Sequence, residues 1–238
     1  MKPYYEAHGI TIYHGDCRDV LPQLPSVDLL LTDPPYGIHY ASSWKTRSGG
    51  APRVHESSFG ADDMDTSWVS TATQCMKPNT AAFIFTRWDV LHLWKYALEC
   101  AGLPVVQRII WDKAHFKMGD LRYYGSQTED VLFCRKGEPS MRWKQRAGNL
   151  YRVSSAWLRE GQFDHPTQKP ERLLKTFIAH TTDASGLVLD PFMGSGSTLR
   201  AAKDLGRRAI GIEIEERYCE IAARRLQQEV MPLFAESE

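Results

Sequence analysis

The feature that most constrains this chain is an alternation of period. Short runs rich in apolar and β-branched residues take turns with longer segments in which apolar residues recur every three to four positions. Strands are expected at Ile10–His14, Val27–Thr32, Thr80–Thr86, Pro104–Trp111, Thr128–Arg135, Leu187–Leu189 and Arg208–Ile212. Helices are expected at Trp68–Met76, Val90–Ala101, Glu171–Thr182, Ser197–Leu205 and Glu215–Gln228. Strands spaced by helices of this length build a doubly wound α/β sheet. Three of the runs, at Val27–Leu31, Ala81–Phe85 and Leu187–Leu189, are almost continuously apolar, which suits central parallel strands covered on both faces.

Composition bounds the class. A chain of 238 residues, 42% hydrophobic and 24% charged, is long enough for one well-buried α/β domain and is not disordered, collagen-like or coiled-coil. No apolar run approaches the roughly 20 residues of a membrane helix. The first residues lack the apolar core of a signal peptide, so a cytoplasmic protein is expected. The five cysteines are scattered without a CxxC pair, which argues against a disulfide framework or a zinc site; no metal is expected. Lysine and arginine balance aspartate and glutamate at 29 each, so bulk charge does not draw this chain to nucleic acid. Charge is nevertheless uneven: Arg135 to Lys175 holds ten basic residues against four acidic ones. By itself such a stretch reads as a solvated surface. Two segments, 37–64 and 137–163, lack any rhythm and are long for loops inside one domain, a length usually tied to function or mobility.

Two clusters carry chemistry. Asp33-Pro34-Pro35-Tyr36 directly follows an apolar strand, and in α/β sheets ligands bind beyond the carboxyl ends of strands. Residues before proline are held extended, and proline has no N–H, so the backbone here offers acceptors and few donors. Asp33 adds an acceptor-only carboxylate and Tyr36 a flat ring. A rigid acceptor cluster beside an aromatic face suits a planar group bearing an exocyclic NH2. The second cluster is Asp190-Pro191-Phe192-Met193-Gly194-Ser195-Gly196-Ser197-Thr198, a glycine-containing turn between a strand and a helix. Glycine lets the backbone approach a ligand, and the helix start offers free N–H groups. Glu213 ends the next strand, roughly 20 residues on, where nucleotide-binding α/β folds place a ribose-hydroxyl partner. The turn is not G-x-G-x-x-G, which counts against a dinucleotide oxidoreductase.

These residues resemble a known family. Asp33-Pro34-Pro35-Tyr36 followed by Asp190-Pro191-Phe192-Met193-Gly194-Ser195-Gly196-Ser197-Thr198 is similar to the amino-group DNA methyltransferases that use S-adenosylmethionine, in the circularly permuted order of their β class. His165-Pro166-Thr167-Gln168-Lys169-Pro170, Gly15-Asp16-Cys17 and the Thr128–Gly137 strand agree with the same family, so the resemblance covers nearly the whole chain. It implies a Rossmann-like, permuted, mostly parallel sheet with an antiparallel hairpin strand, forming a single catalytic domain over residues 1–238.

The resemblance also implies roles. Asp190, Phe192, Gly194, Ser195 and Gly196 would shape the cofactor's methionine end, Ser197 or Thr198 would bond its carboxylate, and Glu213 its ribose. Asp16 with Cys17 would address the adenine. His165, Thr167, Gln168 and Lys169 would line the same pocket, and Asp33 would reach the cofactor too. Asp33, Pro34, Pro35 and Tyr36 would hold a base flipped from double-stranded DNA, with methyl transfer to N6 of adenine; N4 of cytosine, or an RNA or protein substrate, are the alternatives. Residues 137–163 would form a small target-recognition insertion carrying Arg142, Lys144 and Arg146. Residues 37–64 would be a mobile loop bringing Lys45, Arg47 and Arg53 to phosphates. A second copy of the chain and a cognate restriction endonuclease are the implied protein partners, in a bacterial or phage setting, with no membrane.

Overall fold

The computed structural model describes residues 1–35, 65–115, 124–143, 145–154 and 168–228. In chain order the elements are β1 (Tyr5–Ala7), β2 (Ile10–His14), α1 (Cys17–Val20), β3 (Val27–Thr32), α2 (Ser67–Cys75), β4 (Met76–Thr86), α3 (Leu91–Cys100), β5 (Val105–Asp112), β6 (Thr128–Lys136), β7 (Leu150–Arg152), α4 (Glu171–Thr181), β8 (Leu187–Asp190), α5 (Ser197–Asp204), β9 (Arg208–Glu213) and α6 (Glu216–Gln227). Among the described residues the strands form one sheet in the order β1-β2-β9-β8-β3-β4-β6-β5-β7.

The sheet is parallel from β2 through β9, β8 and β3 to β4, and antiparallel where β6 inserts between β4 and β5. Two consecutive antiparallel pairings return β5 to the direction of β4. The carboxyl ends of β2, β9, β8, β3, β4 and β5 therefore share one edge of the sheet, and β6 starts there. Each expected strand is present. The additions are β1, α1 and β7, which are too short to show a period.

Alternation along the strands sorts the core into two layers. Leu29, Leu31, Phe83 and Val188 face α4, α5 and α6, where they meet Leu173, Phe177, Leu199 and Ala222. Leu30, Ala82, Ile84 and Leu189 face α1, α2 and α3, where they meet Val20, Trp68, Trp94 and Leu98. Successive strand residues point to opposite faces, so an unbroken apolar run is what two covered faces require. Phe177 stacks on Phe83 with ring centroids 4.4 Å apart, and Tyr151 of β7 meets Phe177 edge-on at 5.5 Å.

The segment expected as a recognition insertion begins as part of this scaffold. Arg142 Nη1 and Nη2 reach Asp183 at 2.5 and 2.6 Å, its amide donates to His180 O at 2.8 Å, and Trp143 meets the His180 ring at 5.3 Å. The chain then climbs the sheet edge as β7, parallel to β5. Trp111 Nε1 donates to Val153 O at 2.8 Å, and Arg152 pairs with Asp112 at 2.7 Å. Residues 144 and 155–163 of that segment, and the loop 37–64, lie outside the described residues.

All five cysteines are free thiols. Among the described residues no helix is long and apolar enough to cross a membrane. No group of three or more His, Cys, Asp or Glu there is arranged to hold a metal ion.

One contact ties the sheet to the turn after β8. A Cβ added at Gly211 of β9 would lie 2.4 Å from Met193 Sδ and 2.8 Å from Leu199 Cδ2. Both side chains are buried, so neither has room to move aside. Gly211→Ala should lower the free energy of unfolding by about 1–3 kcal/mol, the usual cost of overpacking, measured by urea denaturation.

Candidate active site

The site forms where the sheet changes its direction of winding. From β8 the chain crosses through α5 to β9 on one side, and from β3 through α2 to β4 on the other. Ligands bind at the carboxyl ends of strands at such a switch point. Asp190 ends β8 and Asp33 follows β3, so two neighbouring strands bring the two sequence clusters, 157 residues apart in the chain, to one crevice.

Asp190 is buried, and its Oδ1 accepts from Thr32 Oγ1 at 2.7 Å and from the Phe192 amide at 3.1 Å, with Thr198 also bonded to the carboxylate. Burial pushes this carboxyl up to about 6; these hydrogen bonds oppose the shift and the nearby Asp33 charge adds to it. The turn beyond is glycine-dependent. Gly196 caps α5 at φ 78°, and a Cβ there would fall 2.8 Å from Ala222 Cβ.

Glu213 ends β9 and is buried beside that turn. Its Oε2 accepts from the Gly194 amide at 3.0 Å and its Oε1 from the Glu215 amide at 2.8 Å. Burial raises its carboxyl, against those backbone bonds. The next strand over, β2, ends at His14, and Asp16 follows as the N-cap of α1. Asp16 Oδ1 accepts from the Arg18 amide at 2.9 Å, and hydrogen bonds from the Arg18 side chain hold its carboxyl below the usual range. Cys17 is buried, and burial pushes its thiol up to about 12, which leaves its backbone as the polar contribution.

On the other side of Asp33 lies a run of alternating charges. Lys169 Nζ is 2.7 Å from Asp33 Oδ2 and 3.0 Å from Glu129 Oε2, and Lys113 Nζ is 3.0 Å from Glu129 Oε1. Lys169 Nζ also stands 5.1 Å from the centre of the Phe85 ring. Burial works against a charged Glu129, but Lys169 and Lys113 outweigh it and hold the group below the ordinary glutamate range.

The remaining expected residues separate into four groups. Phe192 packs edge-on against buried Trp68 at 5.0 Å and serves the layer between β8 and α2. Ser195 and Ser197 are buried braces for the turn: Arg225 Nη1 donates to Ser197 Oγ at 3.2 Å and to Ser195 O at 3.4 Å. Gln168, its amide oriented by hydrogen bonding, accepts from the same Arg225 nitrogen at 2.9 Å. Pro34 is buried and Pro35 exposed. Tyr36, Lys45, Arg47, Arg53, Lys144, His165 and Thr167 lie outside the described residues.

Arg142 lies away from the crevice. It sits against Asp183, between α4 and β8, and Asp183 precedes the amino end of β8. That is the opposite end of the sheet from Asp33, because β8 spans the sheet between them. Arg146 is exposed on the same climbing segment. Sequence reasoning did not single out Thr32, Lys113, Glu129 or Arg225. Each lies at or near the end of an element, and only packing between elements distant in sequence gives it a partner.

Comparisons with known proteins establish the family. Residues 27–224 match the family model described as DNA methylase. The chain belongs to the DNA methylase family. It is 31% identical to the type II methyltransferase M2.LlaDCHI of Lactococcus lactis subsp. cremoris, over 95% of this chain and 93% of that protein. It is also 31% identical to the type II methyltransferase M2.DpnII of Streptococcus pneumoniae, over 96% of this chain and 93% of that protein. Among solved structures, the M1.HpyAVI–SAM complex aligns with a TM-score of 0.72 at 27% identity, covering 91% of this chain and 99% of that one. The PvuII cytosine-N4-specific DNA methyltransferase aligns at 0.73 and 17% identity over 99% of this chain and 91% of that one, a likeness of fold. The permuted, mostly parallel methylase sheet expected from the sequence is therefore the sheet present.

Two expectations follow from this geometry. Asp190 keeps its proton in the folded methylase up to about pH 6, whereas in the unfolded chain it ionises near pH 4. Between those values the native state binds the extra proton, so stability falls as pH rises. Wild type should lose on the order of 1–3 kcal/mol between pH 4 and 6 relative to Asp190→Asn, whose unfolding lacks this contribution. Urea titrations of both proteins across that window measure it. Arg142→Ala, at the far end of the sheet, should leave DNA affinity within about twofold, since it removes no phosphate contact; fluorescence anisotropy with a labelled duplex is the check.

Proposed function

We propose that this methylase transfers a methyl group from S-adenosylmethionine to the N6 amino group of adenine in double-stranded DNA, after flipping the base out of the helix. The observation that carries the reading is the convergence of Asp33 and Asp190 in one crevice, tied by the 2.7 Å bond between Thr32 and Asp190. The amino-acceptor turn and the turn after β8 are thereby built as neighbours. Aspartate as the first residue of the Asp33–Tyr36 tetrapeptide favours adenine over cytosine as the target.

The donor set suits the cofactor. Glu213 presents a buried carboxylate at the tip of β9, an acceptor for vicinal ribose hydroxyls, and Asp16 presents a partly exposed carboxylate beyond β2 for an exocyclic amino group. Gly194 and Gly196 adopt the positive φ values, 50° and 78°, that this turn into α5 requires. Bound there, the cofactor supplies an electrophilic methyl group on a sulfonium.

The protein's own part is placement and charge. Extruding a base costs a few kcal/mol, repaid by contacts in the pocket. Asp33 and the Pro34 carbonyl accept the two amino hydrogens and leave the nitrogen lone pair directed at the methyl group. Positive charge would grow on that nitrogen as the N–C bond formed and the sulfonium S–C bond broke with its electron pair going to sulfur, and the Asp33 carboxylate would offset that charge until the surplus amino proton is released to water. Such preorganised electrostatics and orientation account for catalysis without a covalent enzyme intermediate. Phosphate contacts come from basic residues at the carboxyl edge and from the loop that carries Lys45, Arg47 and Arg53. Arg142 drops out of that set.

The test is the product. Duplex DNA is incubated with purified protein and S-adenosylmethionine, digested to nucleosides and analysed by mass spectrometry. N6-methyladenine supports the reading, and N4-methylcytosine overturns the choice of base. Asp33→Asn keeps the shape but turns a donor toward a donor. Its single-turnover rate at saturating cofactor should fall at least about 100-fold, the scale of losing one aligned electrostatic partner. DNA affinity should change little, because phosphates supply most of it.

A further inference from the structure

We infer that Glu129 is a positioning residue for methyl transfer: acting through Lys169, it fixes the Asp33 carboxylate in its acceptor orientation. This rests on the function proposed above for Asp33.

The argument begins with charge. Lys169 Nζ lies between two carboxylates, 2.7 Å from Asp33 and 3.0 Å from Glu129, and its side chain is only 9% exposed. Glu129 in turn lies between two ammonium groups, Lys169 and Lys113, each at 3.0 Å. The four groups form a neutral row, Lys113, Glu129, Lys169, Asp33, that crosses the carboxyl edge from β5 through β6 to β3. Buried charges are tolerated when each is paired, and removing one partner strands the next. Asp33 is the member at the crevice, and Glu129 and Lys113 lie behind Lys169.

The row also has a fixed backbone at each point. Glu129 is opposite Trp111 in the antiparallel ladder of β6 and β5. Lys169 immediately precedes Pro170, the N-cap of α4, whose φ is set by its ring. Lys169 Nζ further rests over the Phe85 ring. A lysine held by one carboxylate alone would close fully on Asp33 and compete with the target amino group for its oxygens. Sharing Lys169 with Glu129 divides that attraction. The lysine then orients Asp33 while the carboxylate keeps acceptor capacity for the base.

The experiment is a double-mutant cycle read by single-turnover methylation of duplex DNA at saturating cofactor. Glu129→Gln preserves shape and removes the charge. It should slow methyl transfer about 10- to 100-fold, as expected when a reacting group loses its alignment. The dissociation constants for S-adenosylmethionine and DNA should stay within about twofold, because a positioning role appears in the chemical step. In a Lys169→Met background the same change should cost less than about twofold more, since Glu129 acts only through that lysine. If Glu129→Gln alone loses its cooperative thermal transition, the pair Glu129→Gln with Lys113→Met removes adjacent opposite charges and takes its place, with the same slowing expected. A rate within twofold of wild type in whichever variant folds overturns the inference. So does an undiminished effect in the Lys169→Met background. Should wild type yield N4-methylcytosine, the choice of base fails and the cycle is run on cytosine. Should wild type methylate no DNA, both fall.

Discussion

The bond from Thr32 Oγ1 to Asp190 Oδ1 is the contact on which this crevice depends. It joins the ends of β3 and β8, strands paired in parallel through Leu29 to Val188 and Leu30 to Leu189. Both partners are buried, so the bond is shielded from water, and losing the Asp190 carboxylate would deprive the buried Thr32 hydroxyl of this acceptor at a cost of about 1–3 kcal/mol. Through it the backbone that delivers Asp33 and the turn that contains Gly194 and Gly196 keep one relative position. Methyl transfer in this family demands such a relation, because an amino nitrogen and a methyl donor must meet in line. An ångström of drift between the two turns would be felt directly in rate.

Around that joint the polar groups are arranged in two manners. On the β8–β9 side, carboxylates are buried and fed by backbone amides and hydroxyls, as at Asp190 and Glu213. Their raised proton affinity records the cost of burial. On the β4–β6–β5 side, charges are offset by charges, as at Asp33, Lys169, Glu129 and Lys113. In the second manner each charge is balanced by an opposite one. One sheet edge thus offers two different electrostatic surroundings within a few strands of each other.

The sheet edge beyond β5 shows how local composition misleads. The stretch from Arg135 to Lys175 is basic, and by charge alone it reads as a solvated surface. Its members have diverse partners in the fold. Lys136 Nζ donates to the carbonyls of Thr73 and Met76, Arg142 pairs with Asp183, Arg152 with Asp112, and Lys175 with Asp204. Lys169 enters the crevice itself. A run of like charge in sequence becomes a set of separate ion pairs once the chain climbs an edge and passes into a helix. Charge counting has no access to those partners.

What the sequence determined by itself was the periodic skeleton and the identity of the chemistry. Apolar runs of period two and helices of period 3.6 mark every long element to within a few residues, because burial on two faces of a sheet leaves little choice of side chain. The two turns are legible because proline and glycine impose backbone geometry locally, whatever the rest of the chain does. The three-residue strands β1 and β7 escaped, since a segment that short acquires its shape from the neighbour it pairs with. Tertiary structure alone decided that Thr32 would meet Asp190, that Arg225 would brace Ser197, and that Glu129 would share Lys169 with Asp33. Those partners come from elements distant in sequence. Hydrogen bonds and ion pairs depend on distances of about 3 Å, and only the register and packing of the folded sheet set distances on that scale.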